Sequence, residues 1–373
     1  MRASAAERER LLADFVRFCE IESPSGRERG MADALAAELR ALGLEVEEDG
    51  SGGETGSDAG NLLARVPGPE GSRTILLCAH LDTVPLDGPV DVVREDGAFA
   101  NRHEAILGAD NKAAVATILG AARRAVREGT PVGLELLFTT CEERGLAGAK
   151  ALDRTRLRSE FGFVFDHATP IGELVLAAPS YYRVEAALHG RAAHAGIRPE
   201  EGRNAIVAAA AGLARLRLGR RDEETTANAG LIRGGTARNV VAERCTVELE
   251  ARSLDAAKAG ALVSEIVDAF TDAAGDAECD IDLTVGELCR AYRLPRTSPP
   301  VAAAGAALED LGIEPRHIVT GGGSDASVFV ADGLPVLNMA NGTERNHEPD
   351  ERVSVEALET MLDVTLGVVA RSA

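Results

Sequence analysis

Five stretches of this 373-residue chain bring metal-binding side-chain types to the end of an apolar run or the start of a helix. TILLCAHLDTVP closes on His80 and Asp82, LLFTTCEERG on Glu142 and Glu143, and FGFVFDH on Asp166. LGADNKAAVA sets Asp110 just ahead of a helical pattern, and LNMANGTERNHEPD carries His347 after the last apolar run. Taken singly, each has a plain reading. A histidine after a strand is a capped or solvated loop residue, Asp110 a helix N-cap, and Glu142–Glu143 surface charge. Together, imidazoles and carboxylates emerging at one sheet edge form a two-metal site. Nitrogen and oxygen donors without cysteine suit zinc in a catalytic role, with cobalt or manganese as substitutes.

The elements that must position these groups follow from periodicity. Leu11, Leu12, Phe15, Val16 and Cys19 give a helix over about residues 5–20, and a second helix stops at Gly43. The polar stretch EEDGSGGETGSDAGN reads as a loop between short strands. Beyond it, the strand-like runs TILLCAH, VGLELLFTT and FGFVFDH alternate with helices such as NKAAVATILGAARRAV. That alternation predicts an α/β fold: a mostly parallel sheet with helices on both faces. Active sites of such sheets lie beyond the carboxyl ends of the strands, where the candidate ligands sit.

The pattern changes near Pro179. YYRVEAALH alternates like a half-exposed strand, followed by a helix at about 203–217 and strands near 231–234 and 240–252. A helix at 255–273 and a strand near 279–286 complete a β-α-β-β-α-β order, which predicts a ferredoxin-like α+β domain. The α/β style returns near Pro295. The expected organisation is one α/β domain, 1–179 and 293–373, interrupted by an inserted α+β domain, 180–292.

Composition narrows the function. Sixty acidic against 40 basic residues give a net charge of −20, which argues against nucleic acid and against an anionic membrane surface. No apolar run approaches the ~18 residues of a membrane span, and MRASAAERERLLADF lacks the apolar core of a signal peptide. A soluble, cytoplasmic protein is expected. Six scattered cysteines without a C-x-x-C pair read as buried, reduced thiols. Aromatic residues are 3% of the chain, too few for a base- or sugar-stacking platform.

In this order and over nearly the whole chain, HLDTVP, GADNKA, the Glu142–Glu143 pair, Asp166, RAAHAG, GGTARNVV, EARSLD and GGGSDA resemble the dinuclear-zinc peptidases. These include peptidase T, carboxypeptidase G, aminoacylase and succinyl-diaminopimelate desuccinylase. Residue by residue, the resemblance implies that two Zn2+ ions are held, one by His80 and Asp166, the other by His347 and Glu143, with Asp110 bridging. It implies that Glu142 is the general base, moving a proton from the bridging water to the leaving amine. Asp82 would fix the His80 tautomer, and a cis peptide would join Asp110 to Asn111. Residues 180–292 would be a lid and dimerisation domain, in which His194 of GRAAHAGIRP stabilises the oxyanion. Asn239 and Arg252 would polarise or clamp the carboxylate end of the substrate, and Gly322 and Gly323 would bring backbone amides close to it. The residues alone leave open an exposed loop histidine, a turn asparagine, a surface arginine and a plain glycine turn. His103, His167, His189 and His317 read as structural.

Asp at 166, with LGADNKAAVA, GLAGAKAL and DEETTAN, resembles peptidase T and its relatives; the carboxypeptidase and desuccinylase branches more usually carry Glu there. CEERGLAG resembles the peptidase-T-like relatives better than peptidase T itself. The activity this implies is a dizinc aminopeptidase acting on tripeptides or other short peptides, homodimeric through its lid. The alternative is an N-acyl amino acid amidohydrolase of the same fold, distinguished by whether the substrate needs a free α-amino group. A non-catalytic metal-binding protein is a third reading, against which the retention of Glu142 and all five ligand candidates weighs.

Overall fold

Helix α1 (Ala5–Cys19) opens on a capping box: Glu7 N–H donates to Ser4 Oγ, and Ser4 N–H donates back to the Glu7 carboxylate. Its buried face, Leu11, Phe15, Phe18 and Cys19, recurs at helical spacing. This computed structural model describes residues 1–373. After α2 (Arg29–Ala41) come β1 (Val46–Glu48), β2 (Leu62–Val66) and β3 (Thr74–His80). Helix α3 (Ala109–Glu128) then leads to β4 (Gly133–Thr139), β5 (Phe161–His167) and β6 (Glu173–Ala178). β4 and β5 flank β3 in parallel, so that Leu77 lies opposite both Leu136 and Phe163. All three side chains are fully buried, and continuous apolar runs of this kind are what a sheet covered on both faces requires.

The chain then builds its second unit. β7 (Ser180–His189), α4 (Ala205–Ala214), β8 (Thr225–Gly234), β9 (Arg244–Ser253), α5 (Ala256–Asp276) and β10 (Asp280–Cys289) follow in order. The strands lie as β8-β9-β7-β10, all antiparallel, with the two-residue strand Gly219–Arg220 beside the start of β8. Both helices have side-chain caps: Asn204 accepts from the amides of Ile206 and Val207, and Asp255 from those of Ala257 and Lys258. One sheet face packs on these helices through Val184, Leu188, Val247, Leu249, Leu262, Ile266 and Phe270.

The first unit resumes with α6 (Pro299–Asp310), α7 (Asp325–Ala331), β11 (Val336–Ala340) and α8 (Val355–Arg371). β11 adds in parallel beside β5, giving the order β1-β2-β4-β3-β5-β11-β6 within a nine-stranded sheet. The four central strands are parallel and the flanking ones antiparallel. A small separate sheet joins the hairpin 92–101 to the short strands Thr343–Glu344 and Arg352–Ser354.

The first unit comprises Met1–Leu176, Arg293–Val319 and Ser324–Ala373; the second comprises Ala177–Tyr292 with Thr320–Gly323. Residues 177–179 and 320–323 fall in the second unit rather than in the first, where the sequence places them, and hydrogen bonding ties the two stretches to it. Thr320 N–H donates to Ala177 O, and Arg252 donates to Gly321 O at 2.8 Å.

Candidate metal centre and active site

At the carboxyl ends of the central strands, His80 terminates β3, Glu142 and Glu143 follow β4, and Asp166 ends β5. Asp110 stands at the start of α3, where its ψ of 105° and a cis peptide to Asn111 keep it outside the helical ladder. His347 lies in the loop between Thr343–Glu344 and Arg352–Ser354. The structure brings all six of these side chains together.

Asp110 sits between the imidazoles. Its Oδ1 is 3.3 Å from His80 Nε2, and its Oδ2 is 3.3 Å from His347 Nε2. Asp166 Oδ1 lies 3.7 Å from His80 Nε2, and Glu143 Oε1 lies 2.8 Å from His347 Nε2. Two overlapping groups hold their donor atoms within 4.8 Å of one another: His80 with Asp110 and Glu143, and His80 with Glu142 and Asp166. His80 is buried, whereas the His347 side chain is half exposed.

Asp82 is fully buried and serves several donors. Its carboxylate accepts the amides of Glu142 (2.9 Å) and Glu143 (3.1 Å) and the hydroxyl of Ser25 (2.6 Å), and it lies 3.4 Å from His80 Nδ1. One carboxylate therefore orients the His80 ring and also holds the turn that carries both glutamates. The Asp82 carbonyl, 3.0 Å from His80 Nδ1, fixes the ring further.

Ionisation reflects this crowding. Burial opposes charge on His80, yet hydrogen bonds to Asp110, Asp166 and Asp82 push its pKa well above the ordinary value. His347 rises to about 10 through its bonds to Asp110 and Glu143. Asp110 resists its own burial and stays well below the carboxylate range because both imidazoles face it. Burial and the neighbouring Asp110 charge raise Asp166 to about 7; burial and Asp166 raise Glu142 strongly. Carboxylates this close cannot all ionise without compensating positive charge. Two imidazole nitrogens aimed at the two oxygens of one carboxylate fit a pair of divalent cations, which would replace the protons held there.

Several residues that the sequence analysis did not single out complete the centre. Asn338 on β11 clamps the Asp166 backbone, accepting its N–H and donating to its carbonyl, each at 3.0 Å. Asp325, the acidic residue of the GGGSDA stretch, is buried and accepts from Thr139 Oγ1 at 2.5 Å. Burial raises it to about 6. Lys112, two residues after Asp110, is buried and donates to the carbonyls of Phe18 and Ile21 at the end of α1. Ser25 lies 57 positions from its partner Asp82, and nothing local in the sequence marks it.

In the second unit, His194 and Asn239 are exposed neighbours. Ala195 N–H donates to Asn239 O at 3.0 Å, and His194 Nδ1 accepts from Gly196 N–H at 3.2 Å. Arg252 stacks on the Tyr181 ring with its guanidinium carbon 3.9 Å from the centroid. Its Nε and Nη2 pair with the two Glu250 oxygens at 3.2 and 2.9 Å. Gly322 N–H donates to Thr320 Oγ1.

The chain is similar to the uncharacterized protein YqjE of Bacillus subtilis, 34% identical over 98% of both chains. It is also similar to a peptidase T-like protein of Rhizobium meliloti, 28% identical over 97% of this chain and 98% of that protein. Among solved structures, the aminopeptidase PepT of Bacillus cereus superposes with a TM-score of 0.89 at 35% identity. A tripeptidase of Staphylococcus aureus superposes with a TM-score of 0.92 at 31% identity. Each alignment covers 98% of both chains. The pattern of peptidase family M20/M25/M40 matches residues 76–371, and this chain, a peptidase, belongs to that family.

Proposed function

We propose that this peptidase is a two-metal aminopeptidase that removes the first residue from tripeptides and other short peptides. The observation that carries the reading is Asp110, whose two oxygens face His80 and His347 at 3.3 Å each. His80, Asp110 and Asp166 would hold one ion, and His347, Asp110 and Glu143 the other. Two Zn2+ ions, or Co2+ or Mn2+ in their place, would supply Lewis-acid polarisation of the scissile carbonyl and bring the pKa of water from ~15.7 toward neutrality. Glu142 is the base: buried against this cluster and raised in pKa, it takes a proton from the attacking water at a carboxylate oxygen and delivers it to the leaving amine. Asp82 keeps the His80 imidazole and the Glu142–Glu143 turn in register.

From the second unit, His194 would stabilise the oxyanion, and Asn239, Arg252 and the amides near Gly322 and Gly323 would bind the substrate end. The second unit, Ala177–Tyr292, would serve as lid and dimerisation domain. Homodimerisation is supported by the free edge of β8 beyond Ala229, where Leu231 and Ile232 are exposed. Exposed Ile206 and Val207 on α4 extend that apolar surface, Ile206 lying against Gly235 just past the strand. An unpaired strand edge beside apolar side chains favours a second copy of the chain. No helix is long and apolar enough to cross a membrane. All six cysteines are buried and free, which supports placement in the reducing cytoplasm.

The test compares hydrolysis of free tripeptides with that of N-acetyl amino acids by zinc-loaded and chelated protein. Metal-dependent release of the first residue from tripeptides alone is expected. Cleavage confined to the N-acetyl compounds would move the chain to the amidohydrolase branch.

A further inference from the structure

Behind the two imidazoles, one buried carboxylate ties two site segments together. Glu351 is 1% exposed. Its Oε2 accepts the backbone N–H groups of Leu107 at 2.9 Å and Gly108 at 2.7 Å, and its Oε1 accepts that of Asp110 at 2.9 Å. These amides precede or open α3, where the helix itself offers no acceptor. Gly108 enters the helix at φ 75°, which turns its amide toward the same carboxylate.

The other end of the link is His347, four residues before Glu351. Glu348 N–H donates to Arg345 O and Glu351 N–H to Glu348 O, folding the intervening chain into consecutive turns. Immediately after Glu351, Arg352–Ser354 pairs with Ala98–Ala100. The loop that presents His347 is therefore anchored at its base by a strand pair and by the Glu351 carboxylate.

We propose that Glu351 is a positioning residue that fixes His347 relative to Asp110 and so sets the spacing of the two cation positions. This inference rests on the two-metal reading. The Glu351 carboxylate accepts from backbone amides rather than from any candidate ligand side chain; it acts through the backbone of Asp110 on one side and the His347 loop on the other. A carboxylate is required because three donors converge on two acceptor oxygens. A carboxamide in its place would turn an NH2 group toward N–H donors.

Leaving buried amides unpaired lowers stability wherever it occurs, so a loss of stability alone does not separate positioning from scaffolding. Glu135 provides the control. It too is buried and accepts from Arg158 N–H (2.8 Å), Ser159 N–H (2.9 Å) and Ser159 Oγ (2.6 Å), four residues before the end of β4 and apart from the ligand cluster.

The experiment uses the full chain as wild type, Glu351→Gln, Glu351→Asp and Glu135→Gln. Zinc is titrated against a chromophoric chelator, Co2+ absorption spectra are recorded, and thermal midpoints are measured. Wild type is expected to bind two equivalents. Glu351→Gln should bind the second about 10–100-fold more weakly, with an altered cobalt spectrum. Glu351→Asp keeps the charge but withdraws it by one methylene, and should lose about 10-fold, the low end of that range. Glu135→Gln should melt lower yet bind both ions as wild type does.

Wild-type affinity and cobalt spectrum in Glu351→Gln, or an equal loss of affinity in Glu135→Gln, would overturn the proposal. If Glu351→Gln does not fold, Glu351→Asp carries the test, and undiminished second-site affinity there overturns it. Wild type binding fewer than two equivalents would sink the two-metal reading itself, a result distinguishable from either.

Discussion

Glu142 and Glu143 are adjacent in sequence and held by the same Asp82 carboxylate, yet their surroundings separate them. Glu143 Oε1 meets His347 Nε2 at 2.8 Å, the contact of a ligand candidate. Glu142 makes no such contact with His347, and burial beside Asp166 raises its proton affinity, as suits a group that must accept and then release a proton. Glu142→Gln should therefore retain both metals and lose turnover by about 10²–10⁴-fold, measured as kcat with metal content determined in parallel. Loss of metal along with activity would show that the two glutamates exchange roles. His194 is exposed and bound only locally, to Gly196 N–H through its Nδ1. His194→Ala should lower kcat by about 10²–10³-fold if the ring donates to the oxyanion, with unchanged metal content. Normal turnover would reduce it to a loop residue.

At the scale of elements, the turn after β4 is where packing and chemistry meet. Gly148 lies under it: a Cβ there would stand 2.1 Å from Thr140 O and 2.6 Å from Asn61 Oδ1. Asn61 in turn accepts from Thr140 N–H at 3.0 Å and donates to Gly148 O at 2.9 Å. Gly148→Ala must push the 140–143 backbone outward, at about 1–3 kcal/mol of stability, the range for forcing extra volume into a packed site. A fall in both thermal midpoint and kcat is expected; a lower midpoint with wild-type kcat would show that the turn tolerates the displacement. The parallel strands were legible because a sheet covered on both faces demands unbroken apolar runs, and TILLCAH and FGFVFDH are such runs. The ligand candidates stand out in the sequence because all but His347 end one of these elements, follow it closely or open a helix. Partners joined only by folding were not. Ser25 reaches Asp82 across 57 residues, Asn338 clamps Asp166 across 172, and Glu351 sits among acidic neighbours that read as solvated charge. A buried polar residue has no periodicity of its own, so its sequence looks the same whether it holds an active-site backbone or faces water.

For the molecule as a whole, the crowded carboxylates set a pH dependence that metal should remove. Without metal, the folded state holds extra protons on Asp166 (raised to about 7), Asp325 (about 6), Glu351 (about 7) and His347 (about 10), and on Glu142 and His80, both raised strongly. Each group has a higher pKa folded than unfolded, so the folded chain binds more protons through this range. Stability then falls as pH rises: the contribution is fully present below the unfolded pKa values and is lost through the folded ones. Lys112, lowered to about 8 by burial, acts oppositely only above that value, and His167 and His317, both lowered by burial, act oppositely within the range but are outnumbered by the raised groups. The depressed Asp110 and Asp82 lose their contribution only as pH drops below the ordinary aspartate range. The chelated protein should therefore melt at a higher temperature near pH 5 than near pH 8. Zinc loading should raise the midpoint most at pH 8, where cations take the place of protons between the carboxylates, and flatten the slope. Calorimetric scans of chelated and loaded protein from pH 5 to 8 decide this. Parallel curves, with zinc adding the same increment at every pH, would mean that the ions bind away from the cluster around Asp110.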